Sequence, residues 1–176
     1  MCQLASFLYK HDETGLEIDV YDFVSHSNTQ KHTKKTEAMG WFEGHYTPKN
    51  VIECRTPEGR NTEAENKLKE LYPNFVSFFN RYCPKVFTGY LNLSGCDLNG
   101  IKLPETINGN LDLGGCKNLN GIKLPEIING YLDLYNCDLK GIKLPETIKG
   151  NLYLDGCKNL NGIKLPEKFK CYFDLR

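Results

Sequence analysis

The residues most able to do chemistry in this 176-residue chain are its eight cysteines and four histidines. Cys2 follows Met1 directly, so removal of the methionine would leave an amino-terminal cysteine whose own amine can serve as base for its thiol. Amidohydrolases built on that device need a larger sandwich than the first half of this chain supplies, and no companion motif is visible. His11, His26, His32 and His45, taken with Cys54 and Cys83, show no recognised ligand spacing, and there is no C-x-x-C pair. No metal, cofactor or catalytic residue is therefore expected. Lys31, Lys34 and Lys35 precede Trp41, Phe42 and Tyr46, a combination that can hold nucleic acid by charge and stacking. Residues 1–83 nevertheless carry 10 basic against 12 acidic side chains, so nucleic acid is not the expected partner.

Four other cysteines, Cys96, Cys116, Cys137 and Cys157, recur at nearly constant spacing, and that spacing belongs to a longer repeat. Units begin at Gly89, Gly109, Gly130 and Gly150, as in GYLNLSGCDLNGIKLPETIN, with lengths of 20, 21, 20 and 21 residues. Pro84 to Thr88 supplies half a unit before them, and a fifth unit begins at Cys171. Within a unit the apolar residues fall at Leu91, Leu93, Cys96, Leu98, Ile101 and Leu103 or their equivalents, alternating only around L-x-L. That pattern predicts one short strand followed by an irregular return. No unit can bury these side chains alone, so the units must stack into a solenoid with leucine over leucine. Pro104, Pro125, Pro145 and Pro166 mark where the chain leaves regular pairing.

The motif L-x-L-x-x-C-x-L, closing on L-P-E every 20 or 21 residues over 84–176, resembles a leucine-rich repeat, in particular the short Leu-Pro-containing class of bacterial effector proteins. Cysteine stands where such repeats often carry asparagine, and it is expected to act as a small buried filler with a weak donor.

Alternation along the strand places the residues between the leucines on the outer face. Three columns result: Tyr90, Asn110, Tyr131, Asn151 and Tyr172; Asn92, Asp112, Asp133, Tyr153 and Asp174; Ser94, Gly114, Tyr135, Asp155 and Arg176. The expected partner-binding residues are Tyr90, Asn92, Asp112, Tyr131, Asp133, Tyr135, Tyr153, Asp155, Tyr172 and Asp174. If the strands line the concave side, this Tyr/Asp face suits a protein partner with a basic surface. A lysine column (Lys102, Lys123, Lys143, Lys164) is matched three residues on by Glu105, Glu126, Glu146 and Glu167, which predicts a solvated salt-bridge ladder and no phosphate grip.

The segment before Pro84 has no repeat. Leu4 to Leu8 and Leu16 to Val24 read as strands joined by a turn near Asp12 to Gly15, and Trp41 to Tyr46 and Asn50 to Cys54 as two more. A helix is expected between Ser25 and Met39, with His26 and His32 on its surface. Thr62 with Glu65 reads as a capping box opening a helix to about Leu71. Beyond Pro73, the stripe Phe75, Val76, Phe78, Phe79 and Tyr82 reads as a second helix covering the first repeat.

The expected fold is thus α+β: a small sheet-plus-helix domain (1–60), a helical cap (61–83) and a short leucine-rich-repeat solenoid (84–176). Basic and acidic residues balance at 22 each, with neither a membrane-length apolar run nor a basic-then-apolar leader at the amino terminus. A cytoplasmic protein is expected, with reduced thiols. The resemblance implies a non-enzymatic inhibitor of a host or rival protein, of bacterial effector or phage type. The competing expectation places the activity before Pro84, on Cys2 or the Lys31 to Lys35 cluster. A strand edge near Tyr172 to Arg176 could also pair two copies into a homodimer.

Overall fold

A computed structural model describes residues 5–12, 15–17, 41–56 and 58–166. The chain divides into two compact units, Met1–Tyr82 and Cys83–Arg176. No helix among the described residues is long and apolar enough to cross a membrane.

Among the described residues, the first unit is an antiparallel sheet with two helices. Strands β1 (Ala5–Asp12), β2 (Gly15–Glu17), β3 (Trp41–Tyr46), β4 (Ile52–Thr56) and β5 (Gly59–Arg60) lie in the order β2-β1-β3-β4-β5. The turn between β1 and β2 falls where expected, with Asp12 opposite Gly15. The expected strand from Asn50 begins two residues later, because Asn50 sits at φ 59 inside the β3–β4 turn, where its amide donates to the Thr47 carbonyl at 2.9 Å. β5 was not legible, since a two-residue strand has no period to read. The helix expected between Ser25 and Met39 lies outside the described residues.

Helix α1 (Thr62–Leu71) begins one residue earlier than the capping-box reading requires. Asn61 is the N-cap, accepting the Ala64 amide at 3.0 Å, and Thr62 is already helical. Glu65 is consequently free to turn inward: 3% exposed, it accepts the Cys54 amide at 3.1 Å and Arg60 Nε at 2.7 Å, tying the helix to β4 and β5. Helix α2 (Phe75–Tyr82) buries Phe75, Phe78 and Phe79. Tyr46 of β3 packs on Phe75 and Phe78, with ring centroids 6.1 and 5.3 Å away, and its hydroxyl donates to the Tyr72 carbonyl at 2.8 Å. The Phe75 amide donates to Asn50 Oδ1, so the β3–β4 turn also anchors the start of α2.

The second unit is a β-solenoid of parallel strands. Strands β6 (Val86–Asn92) and β7 (Thr106–Asp112) pair along their length, and the ladder continues through β8 (Ile127–Ile128), β9 (Leu132–Asp133), β10 (Thr147–Ile148) and β11 (Leu152–Tyr153). Coils 1 to 3 run over 86–105, 106–126 and 127–146, and coil 4 starts at Thr147, each in register with the last. The strand region is longer than L-x-L: Thr106-Ile107, Ile127-Ile128 and Thr147-Ile148, expected as part of the irregular return, belong to the sheet. Phe87, Ile107, Ile128 and Ile148 therefore form an additional core column, almost fully buried beside those of Leu91 and Leu93 and their equivalents. The intervening glycine hid it by interrupting the alternation. A Cβ on Gly150 would lie 2.6 Å from the Gly130 carbonyl carbon, and one on Gly130 2.7 Å from that of Gly109, so the coils approach too closely there for any side chain.

The thiol column is structural. Cys116, Cys137 and Cys157 donate to the carbonyls of Leu93, Leu113 and Leu134 of the preceding coil at 2.9, 3.2 and 2.9 Å. Burial raises all three pKa values, that of Cys116 to about 12, so the thiols stay protonated and able to donate.

Candidate interaction surface

Coils 1 to 3 turn out of their strands by the same device, and coil 4, with Tyr153 in the second outward column, lacks its side-chain bond. Asn92, Asp112 and Asp133 each use Oδ1 to accept the amide two residues on, from Ser94 at 2.9 Å, Gly114 at 3.0 Å and Tyr135 at 2.8 Å. The next residue is left-handed: Gly95, Gly115, Asn136 and Gly156 have φ of 71, 67, 56 and 66. Asn and Asp in the second outward column thus shape the turn, and this holds their neighbours on the outer face.

The expected site residues divide accordingly. Asn92 is only 8% exposed, its Oδ1 also taking the Ser94 hydroxyl at 2.7 Å, so it is a turn residue with little surface to offer. Tyr90 and Tyr135 are exposed, at 38% and 55%. Tyr131, Tyr153, Asp112, Asp133 and Asp155 are half-buried. Tyr172, Asp174 and the edge near Arg176 lie outside the described residues, as do Cys2 and the Lys31 to Lys35 cluster.

The structure brings the first and second columns together into one stripe. The Tyr90 and Tyr131 rings lie 6.0 Å apart and Tyr131 meets Tyr153 edge-on at 5.9 Å, so rings from three separate coils stack into one row. Tyr90 donates its hydroxyl to Asp112 Oδ2 at 2.8 Å, and the Asn151 amide donates to the Tyr153 hydroxyl at 3.0 Å. Burial, reinforced by the neighbouring Tyr131 and Asp112, raises the Tyr90 pKa. Asp133 is held above the usual carboxylate range first by desolvation and then by the like charges of Asp112 and Asp155, against the opposing Tyr135 amide. Asp155 Oδ1 is buried without a hydrogen-bond partner. None of Asp112, Asp133 and Asp155 forms an ion pair among the described residues.

The lysine and glutamate columns behave as a surface ladder. Lys123 pairs with Glu126 at 2.9 Å and Lys143 with Glu146 at 3.5 Å as expected, whereas Glu105 pairs at 3.1 Å with Lys85, which stands outside the lysine column; all are solvent-exposed. Among the described residues, no three His, Cys, Asp or Glu side chains converge as a metal site. Two features of the surface were not read from the sequence. Asn110 Oδ1 accepts the Tyr131 amide at 3.0 Å, and Asn129 donates to Asn108 at 2.7 Å. The signal for the second was present, as asparagines at equivalent positions of adjacent units. No protein-family model, curated protein or solved structure matches the chain.

Proposed function

We propose that the protein is a non-enzymatic protein-binding module whose repeat unit is a short leucine-rich-repeat solenoid and whose Tyr/Asp stripe takes a partner with a basic surface. The observation that carries this reading is the stripe itself: stacked Tyr90, Tyr131 and Tyr153 beside three carboxylates that have no cation of their own among the described residues. Tyrosine offers a large contact area with few rotors, and crowded carboxylates lower their mutual repulsion when a Lys or Arg comes between them. The leucine-rich-repeat assignment is supported by the thiols of coils 2, 3 and 4, each bonding to the coil before it. By analogy with effector repeats, the module would block a host or rival protein.

The test is affinity capture from host lysate with three baits: the intact chain, the variant Asp112→Lys with Asp155→Lys, and the triple alanine variant at Tyr131, Tyr135 and Tyr153. Circular dichroism confirms that each bait is folded. A protein held by the intact chain and released by both variants is the expected result. The same partner retained by both folded variants would defeat the assignment and move the search to residues 1–83.

A further inference from the structure

The four coils are not joined by equal interfaces. Coils 2 and 4 carry one residue more than coils 1 and 3 in the turn after the cysteine, and that residue is Asn118 or Asn159, left-handed at φ 56 and 59. Each extra asparagine reaches back to the shorter coil before it: Asn118 Nδ2 donates to Asp97 Oδ1 at 2.8 Å, and Asn159 Nδ2 to Asp138 Oδ1 at 2.6 Å. A short backbone ladder accompanies each clamp. Lys117 donates to Cys96 and Leu98 to Lys117, at 2.8 and 3.1 Å; Lys158 donates to Cys137 and Leu139 to Lys158, at 2.9 and 3.0 Å. The bridges are Asp97 with Lys117 and Asp138 with Lys158.

Among the described residues no such clamp joins coil 2 to coil 3 at this turn; the side-chain clamp there, Asn129 Nδ2 to Asn108 Oδ1 at 2.7 Å, lies instead at the start of the coil, next to its strands. At the turn a long coil precedes a short one, no backbone bond links 116–119 to 137–139, and an open groove remains, lined by Leu119, Asn120, Asn136, Asp138 and Lys140. The strand ladder is also altered at this interface. Gly150 donates to the Gly130 carbonyl at 2.9 Å, whereas among the described residues no bond runs from the equivalent Gly130 amide to the Gly109 carbonyl, and the adjacent Tyr131 amide goes to the side chain of Asn110. Asp112 and Asp133, both carboxylates, stack across the same interface.

We propose that the repeat unit is built as two double coils, coils 1 with 2 and coils 3 with 4, and that it opens first at the seam between coils 2 and 3. Stability in a repeat array is a sum of coil terms and interface terms, so opening concentrates where an interface has lost bonds. The seam cuts the Tyr/Asp stripe between Asp112 and Asp133, so its opening would divide that surface.

Native-state hydrogen exchange on the full chain, resolved by amide, tests this. The amides of Leu113 and Gly115 donate across the seam to Asp133 and Tyr135, while Leu134 and Asn136 donate within the second double coil to Tyr153 and Asp155. The expected result is exchange at Leu113 and Gly115 roughly tenfold or more faster than at Leu134 and Asn136. An array that frays from its end gives the reverse order, because the interface between coils 2 and 3 is more central than that between coils 3 and 4, and equal or slower exchange at Leu113 would overturn the proposal. A second variant, Asn159→Gly, keeps the left-handed backbone and removes one clamp. It should accelerate Leu134 and Asn136 and leave Leu113 unchanged; acceleration of all three together would mean a single cooperative block and would also overturn it.

Discussion

The two units reach a buried core by opposite routes. In the first, different residues meet once: Tyr46 from β3, Cys54 from β4, Leu68 from α1 and Phe78 from α2 converge, and one buried carboxylate, Glu65, joins helix to sheet. In the second, the same few residues meet repeatedly, and the core is a set of columns of Ile, Leu and Cys generated by translation. The difference sets how damage spreads. A defect in a core of unique contacts has no substitute and disturbs the whole unit, whereas a defect in an array is felt mainly by the coils on either side.

The sharpest way to break this comparison is to truncate one large core residue in each unit. Phe78→Ala, fully buried among Tyr46, Tyr72 and Tyr82, should cost about 3–5 kcal/mol and remove the near-ultraviolet aromatic signal of the first unit in one step. Leu134→Ala should cost about 2–5 kcal/mol by denaturant titration, with lost exchange protection centred on coils 3 and 4. Equal loss in coil 1 would show that the array is as cooperative as the first unit.

A smaller effect separates the two units by their response to acid. Glu65→Ala strands the buried Cys54 amide at a cost of about 1–3 kcal/mol. Desolvation pushes the Glu65 pKa up, but the Arg60 fork and the Cys54 amide outweigh it and hold the folded value below the ordinary one. Its contribution is therefore complete above the unfolded value and is lost as pH falls through the folded one. Glu65→Gln should flatten the acid limb of stability measured for the first unit.

Asp133 has the opposite sign. Its folded value is raised, so the carboxyl favours folding in acid and loses that contribution as pH rises through the folded value. Asp133→Asn should therefore stabilise the second unit at neutral pH, by less than about 1 kcal/mol, with the gain vanishing in acid. Asn92 shows that an amide can shape this turn, since its Oδ1 accepts the Ser94 amide as Asp133 accepts that of Tyr135. Loss of stability at neutral pH would mean that the carboxylate is needed for more than the turn.

Much of the second unit was readable because translation writes the same constraint four times: L-x-L, the cysteine, the Gly turn and the proline recur, and the burial of those leucines and of the prolines follows. What was missed there was hidden by local irregularity. The Thr-Ile strand residues are cut off by a glycine whose purpose, close approach of Gly109 to Gly89 and of Gly130 to Gly109, exists only once coils are stacked. In the first unit the strand at Trp41 to Tyr46 and the helix to Leu71 were legible from local pattern. The N-cap is Asn61 and not Thr62, because Asn61 Oδ1 takes the Ala64 amide, and Glu65, freed from the cap, is drawn into the core by Arg60 and the Cys54 amide of the adjoining strands.

The sequence by itself determined that there are two units of different texture, that one is a stack of 20- and 21-residue turns, and which side chains alternate out of its strands. Only the tertiary structure decided how those turns differ in their joints. Whether an extra asparagine clamps a neighbour depends on the length of the coil beneath it, and whether Asn92 or Asp133 serves a turn or a surface depends on what its oxygen meets. Repetition along a chain specifies residues one coil at a time, but hydrogen bonds and charges act between coils, where only geometry brings them together.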